Sequence, residues 1–449
     1  MKPKFPIQNL KSFSEPPLQL CWNFAQLGLL IFPLFPAVGA VGIALAILGT
    51  GKQKFNTIIR RPLNWGIAIF SVLLVVSASF AAYRSEAFLG LANFLPFFLL
   101  LVSFSELIQT PAQLRRLAWI IVIPSVPIVI LGLGQLFLGW ASSGLLTNIL
   151  GWSLTPTGNP PGRMASVFMY ANILAAYLTI VFILALGLSI EQWQLARKRV
   201  GEGESGGTIA RGKFRNYGTL YLIVAVIGSA IAIVFTNSRN AWAIAPLACL
   251  AFSVYLGWRW LLAAVTGIAS IILAAAFAPS PINQLLRKIV PAFFWARLTD
   301  RNFPDRPLPY LRTTQWQFAW WMTQQRPWTG WGLRNFTPLY VEKYATPDNP
   351  IWLGHPHSLF LMLTAEIGIP ATMLFCVLVS WMIARSILQV RDWPGNNQDR
   401  LILFSFIVAF LGCTLFNTVD VTIFDLRVNT FGWLLLAAIG GVVYNNTVK

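Results

Sequence analysis

Apolar residues run through this chain in stretches of roughly twenty, separated by polar joints. The stretches fall at about 19–33, 36–49, 63–82, 87–105, 117–139, 166–190, 217–236, 240–256, 260–278, 357–384, 401–419 and 428–445. An α-helix of about 20 apolar residues crosses the roughly 30 Å of hydrocarbon in a bilayer. The pattern therefore predicts an all-α, polytopic membrane helix bundle with about twelve transmembrane helices. The first two stretches are short and separated only by Phe32-Pro33-Leu34-Phe35-Pro36. Read as one broken span, they would lower the count to eleven.

Between the ninth and tenth stretches lies a loop, 279–356, too long and too aromatic to be a tether. Within it, 283–298 mixes apolar and basic residues, and 310–325 carries Trp316, Phe318, Trp320 and Trp321. Both read as amphipathic segments of the kind that rest at a membrane interface, where Trp is favoured. The chain thus divides into 1–278 with nine spans, 279–356 as an extracytoplasmic cap on the bundle, and 357–449 with three spans. The Gly-rich stretch 200–212 has the composition of a flexible linker. No internal repeat is visible.

Composition agrees with a lipid solvent. Hydrophobic residues make up 56% and charged residues 11%, against about 25% charged in soluble domains. The net charge of +18 is scattered over the joints between spans rather than gathered on one soluble face. It therefore points to topology and contact with membrane lipids, not to nucleic acid. With the N-terminus inside, twenty Lys and Arg fall in cytoplasmic segments, while the short outside joints hold only Arg84, Arg163, Arg239 and Arg427. Long loops cross regardless of charge. Both termini are expected to be cytoplasmic, in a cytoplasmic (inner) membrane. The start of the chain lacks a small-residue cleavage site and reads as an uncleaved first span. Cys21, Cys249, Cys376 and Cys413 lie in or beside apolar stretches, without metal-ligand spacing, and read as buried hydrophobes.

Candidate chemistry gathers at the outside joints. The chain has two histidines, both in His355-Pro356-His357-Ser358, where the long loop meets the tenth stretch. Pro356 suits a first helical position, so a helix is expected to start there. His357 would then lie at its positive end as a general base. The plain alternative is that the two histidines cap that helix. Arg239 sits between two apolar stretches with almost no joint. It could snorkel there, or grip a phosphate through its planar fork. Arg163 follows a run of turn-formers and precedes a stretch containing Asn172. Arg312 lies four residues before Trp316, in reach of a cation–π contact. Together the three arginines suit a phosphorylated lipid headgroup. Glu366, nine residues after His357, faces the opposite side of a helix and reads as a buried structural carboxylate. Asp420 and Asp425 read as structural partners of Arg427. No metal-ligand cluster, phosphate-cradling glycine loop or nucleophile elbow is present, so the sequence calls for no metal and no cofactor.

These pieces resemble the O-antigen ligase and polymerase superfamily, membrane enzymes that move glycans off a polyprenyl-diphosphate carrier. The matching residues are Arg163, Phe168, Asn172 and Ala175-Ala176-Tyr177-Leu178, then Ser238-Arg239 opening a span, and Arg312 before Trp316. Arg326-Pro327-Trp328-Thr329-Gly330-Trp331-Gly332-Leu333-Arg334-Asn335-Phe336 follows, and last His357-Ser358 with Gly368 after nine residues. The family pattern then expects Gly, Thr or Tyr where this chain has Ala371, with Thr372 one step later. It also expects a small residue where Asn240 stands.

The resemblance implies a metal-independent, glycosyltransferase-C-like enzyme acting on the extracytoplasmic side. In it His357 is the base on the acceptor hydroxyl, Arg163, Arg239 and Arg312 hold the departing diphosphate, and His355 is secondary. The partners it implies are a polyprenyl-diphosphate-linked glycan and a lipid or glycan acceptor. It leaves ligase and polymerase open. Part of the superfamily is associated with inorganic-carbon transport, so an anion transporter is a second expectation, and a non-catalytic envelope scaffold a third.

Overall fold

The computed structural model describes residues 16–201, 209–299, 307–346, 350–351, 354–393 and 395–447. Most of the 200–212 linker and the polar start of the chain lie outside them. Two helices open the described chain, α1 (Pro16–Ile31) and α2 (Pro36–Gln53). They are separate helices rather than one broken span, and they pack as an antiparallel hairpin. A Cβ at Gly28 would lie 2.8 Å from the carbonyl oxygen of Gly39, so only glycines allow the two backbones to come this close.

Seven long helices follow: α3 (Pro62–Ser79), α4 (Arg84–Leu107), α5 (Pro111–Phe137), α6 (Ala171–Gly201), α7 (Ile209–Phe235), α8 (Arg239–Leu256) and α9 (Arg259–Phe277). After the long loop come α10 (Arg312–Gln325) and α11 (Phe336–Tyr344), then α12 (Leu359–Arg391), α13 (Asn397–Thr418) and α14 (Leu426–Thr447). Every apolar stretch in the sequence corresponds to one of these helices. Among the described residues, ten helices are long and apolar enough to cross a membrane. Helix α1 is shorter, at 16 residues, and α2, at 18, is not among the ten, so twelve apolar helices yield ten clear spans. The chain is a polytopic, all-helical membrane bundle.

Helix α6 is the central post, with 83% of its apolar window buried, while α9 stands at the rim with 11%. Ion pairs pin the end of the bundle away from the long loop. Arg61 meets Glu106 at 2.6 Å, both buried, and Arg115 bridges Glu191 of α6 and Asp399 of α13.

The long loop departs from expectation in one detail. Residues 283–298 do not form one amphipathic helix. Pro291, which lacks an amide proton, separates two short helices, Ile282–Leu286 and Ala292–Leu298. In α10 the buried residues are Gln315, Phe318, Ala319, Met322 and Thr323, one stripe at helical spacing. This stripe packs against α11 and the start of α12, leaving Trp320 and Trp321 on the outward side.

Helix α12 is broken by design of its sequence. Gly368 is non-helical at φ 79°, and Pro370 follows two residues later. Proline cannot bond the carbonyl four residues back, so Glu366 O is left free, and Ile369 N turns away to Pro327 O, freeing Ala365 O. The loop between α10 and α11 fills both vacancies. Trp331 N donates to Ala365 O at 3.0 Å and Gly332 N to Glu366 O at 2.7 Å. Ser77 Oγ of α3 lies 3.0 Å from Glu366 O and 2.7 Å from Thr329 O, tying a third helix into the junction. Gly332 is required at its place, since a Cβ there would fall 2.2 Å from that of Ala81.

Candidate functional site

At the loop end of the bundle lies a cavity of about 890 Å³ whose walls include His355, His357, Asp420, Asn172, Tyr170 and Arg334. Its size is that of a small-molecule site. The first wall is built by the junction before α12. The helix starts at Leu359, with Ser358 as its N-cap, three residues later than Pro356 suggested. His357 therefore lies outside the helix, in the left-handed region at φ 52°. This conformation is unfavourable for a side chain with a Cβ. It swings the ring away from the helix axis and toward the turn between α13 and α14.

That turn delivers Asp420, which is 4% exposed. Its Oδ1 accepts from His357 Nδ1 at 3.1 Å and from Val421 N at 2.9 Å, and its Oδ2 accepts from Asn172 Nδ2 at 2.7 Å. A carboxylate can only accept, so His357 Nδ1 carries the proton of this contact. Burial alone would push the Asp420 carboxyl up. The hydrogen bond from His357, the two neighbouring imidazoles and the Val421 amide outweigh it and hold the group below the usual carboxylate range.

Asp420 was expected to pair with Arg427, and the structure corrects this. Asp425, the other expected partner, does pair with Arg427, at 3.3 Å, and Arg427 also donates to Val167 O. Asp420 is the hub of the histidines. The turn between two apolar stretches gave no sign of which partner it would meet, because that partner lies 63 residues away.

His355 packs edge-on to His357, with ring centroids 4.5 Å apart, and stacks on Phe424. Its Nδ1 accepts from His357 N at 3.2 Å. Burial, then His357 and Arg312, push its pKa down to about 4, with Asp420 pulling the other way. Arg312 is thus one of the charges that reach His355.

Behind Asn172 stands Arg163. It donates to Asn172 Oδ1, and through Nε to Thr236 O at 2.8 Å. A continuous chain thus runs Arg163, Asn172, Asp420, His357. Burial pushes Arg163 down to about 10; Tyr170 and Asp420 oppose this, while Arg297 and Arg239 add to it. It remains charged at neutral pH. Arg163, Arg239 and Arg297 therefore form a cluster of like charge beside an anionic hub. All five predicted site residues lie in this neighbourhood. Only His355 and His357 line the cavity itself, and the arginines stand behind or beside it.

Residues 224–376 match the protein-family model described as O-antigen ligase. Over that stretch, about a third of its length, the chain is similar to the O-antigen ligase family. No curated protein matches it. The matched stretch includes Arg239, Arg312 and both histidines, while Arg163, Asn172 and Asp420 fall outside it.

The sequence called for no metal, yet the fold assembles a donor set. One ligand atom each from His355, His357 and Asp420 lie within 4.8 Å of one another. Two imidazoles and a carboxylate suit a divalent transition ion. Local spacing could not reveal this, because the third ligand comes from a distant turn.

Sequence reasoning also missed Arg297, 8% exposed and donating to Asn237 O at 3.2 Å. A basic residue inside an apolar loop segment was its only signal. Backbone strain marks the same region. Thr157, Ser166, Asn237, Arg334 and His357 are the described non-glycine residues with positive φ, and all lie in segments that hold the cavity or Arg163. Such strain concentrates where function over-determines the backbone. Glu366 is the buried structural carboxylate expected of it, accepting from Phe336 N at 3.1 Å.

Proposed function

We propose that this protein moves a glycan from a polyprenyl-diphosphate carrier to an acceptor hydroxyl on the extracytoplasmic face of the cytoplasmic membrane. The family acts on lipid-linked glycans. The observation that carries the reading is the hydrogen-bonded chain from Arg163 through Asn172 and Asp420 to His357 on the cavity wall. It joins a proton acceptor to a cationic cluster, as expected when a hydroxyl is deprotonated while a diphosphate departs.

In the proposed reaction the acceptor O–H gives its proton to His357 Nε2. Its oxygen forms a bond to the anomeric carbon, and the bond from that carbon to the diphosphate breaks. The diphosphate leaves with the electron pair, and Arg239, Arg163 and Arg312 stabilise the charge that grows on it. Asp420 fixes the tautomer and stabilises the imidazolium, much as a carboxylate orients a histidine in other acid–base sites. The charged groups lie at loops on one end of the bundle. A transporter would place its site near the midplane on broken helices, so this placement supports transfer over anion transport.

The test is reconstitution of the full chain with a polyprenyl-diphosphate-linked glycan and candidate acceptors. His357→Ala should abolish transfer while leaving the carrier bound. Full transfer by that variant would overturn the mechanism, and bicarbonate uptake lost on Arg239→Ala would favour transport.

A further inference from the structure

The cavity has a second charged wall, opposite in origin from the arginine cluster. Arg334 lines it, together with Glu86 from the first turn of α4. The two pair at 3.2 Å, and their side chains are 42% and 40% exposed. Such an open ion pair contributes little to stability, so the fold gains little by building it.

The surrounding backbone is nevertheless committed to placing this guanidinium. Arg334 sits at φ 61°, a region that disfavours side chains with a Cβ. The next residue is locked on both sides. Asn335 Oδ1 accepts from Tyr83 N at 2.6 Å, and Asn335 Nδ2 donates to Leu333 O at 2.9 Å. Phe336 N is held by the buried Glu366 carboxylate. Leu333 presses on Gly90, where a Cβ would fall 2.5 Å from it. A strained residue held this firmly, with its charged end half-exposed on a cavity wall and tied only by an open ion pair, marks a ligand contact rather than a structural tie.

Resting on the transfer reading above, we propose that Arg334 binds the acceptor, and that the acceptor sugar carries an anionic substituent, a phosphate or a carboxylate. Its planar fork matches either group. Glu86 holds the guanidinium and yields it when the anion arrives. An acceptor anchored by Arg334 shares the cavity with His357, while the carrier's diphosphate belongs to the cluster around Arg163.

The experiment uses the full chain in nanodiscs of phosphatidylcholine, which adds no anionic lipid. Four probes are titrated: glucose, glucose 6-phosphate, glucuronic acid and geranylgeranyl diphosphate. Arg334→Asn suits the left-handed backbone, and so separates lost charge from lost fold. It should weaken at least one of the two anionic sugars by about tenfold or more, as expected for loss of a charge-assisted contact. Binding of geranylgeranyl diphosphate should stay unchanged. Glu86→Gln should tighten the same anionic sugar by removing its competitor, and neither variant should alter glucose binding. Which sugar responds separates phosphate from carboxylate.

The proposal is overturned if anionic sugars bind no better than glucose. It is equally overturned if Arg334→Asn leaves them untouched, or if that variant instead loses the diphosphate probe. Failure of the diphosphate to bind at all, with Arg334-dependent sugar binding intact, would remove the carrier reading and leave the anion site standing.

Discussion

Exchanging Asp420 for Asn tests the core of the site with a change of almost no volume. Both carboxylate oxygens act only as acceptors, Oδ1 toward His357 Nδ1 and Val421 N, and Oδ2 toward Asn172 Nδ2. An amide turns one of them into a donor. If its NH2 takes the Oδ2 place, it meets the NH2 of Asn172. Turning Asn172 over then presents that group's NH2 to the Arg163 guanidinium, which already donates there. If the NH2 takes the Oδ1 place, it meets Val421 N–H and drives the His357 proton onto Nε2, the atom that has to accept the acceptor's proton. Either arrangement leaves a buried donor without a partner, at about 1–3 kcal/mol. The second also removes the base, worth about 10²–10⁴ in rate.

In proteoliposomes with carrier-linked glycan, Asp420→Asn should lower kcat by about 10²–10⁴-fold, with a much smaller effect on carrier binding. Because Asp420 acts through His357, the double variant Asp420→Asn/His357→Gln should be within about threefold of the slower single variant. Turnover by Asp420→Asn near the native rate, or losses that multiply in the double variant, would refute the coupling.

Other outcomes follow from the same geometry. His355, held down to about 4 chiefly by burial, is neutral in the fold but protonates in the unfolded chain near its ordinary pKa of about 6.5. Its contribution is present in full above that value and is lost as pH falls toward 4, on the order of 3 kcal/mol in all. Thermal midpoints in detergent should drop across that window and flatten in His355→Gln; equal slopes would refute the assignment. Zn²⁺ should inhibit transfer by occupying His355, His357 and Asp420, reversibly on chelation. Unchanged zinc sensitivity in His355→Gln would show that it binds elsewhere. Gly368→Ala adds a Cβ 2.5 Å from Trp328 O at positive φ, and should cost about 2 kcal/mol or more. Gly267→Ala, with nothing within 4 Å, should be neutral. Equal thermal midpoints for the two variants would contradict the packing described at the α12 break.

What the residues disclosed in advance was set by range. Apolar runs are local, and all twelve appear as helices, with only α1 and α2 outside the ten long, apolar spans. Arg163, Arg239, Arg312 and the histidines were visible because charge and imidazole are rare in such a chain. Asp420 was visible as a residue but not as a partner, since its meeting with His357 depends on how α12, α13 and α14 pack. Arg297 was hidden by an ordinary-looking basic loop, and Arg334 by being one of several cations in it. The start of α12 was misplaced because a proline that fits a helix also fits the turn before one. The left-handed φ of His357 is a tertiary choice, imposed by the partners its ring meets.

The break in α12 carries a practical lesson for anyone exchanging parts between relatives of this protein. Carbonyls of a transmembrane helix are completed there by amides from the preceding external segment, and α3 contributes a hydroxyl to the same knot. A graft of residues 326–336 alone would bring amides to a recipient helix without the matching kink. The transplantable module is the segment plus the opening turns of α12 through Pro370, together with a serine at the place of Ser77.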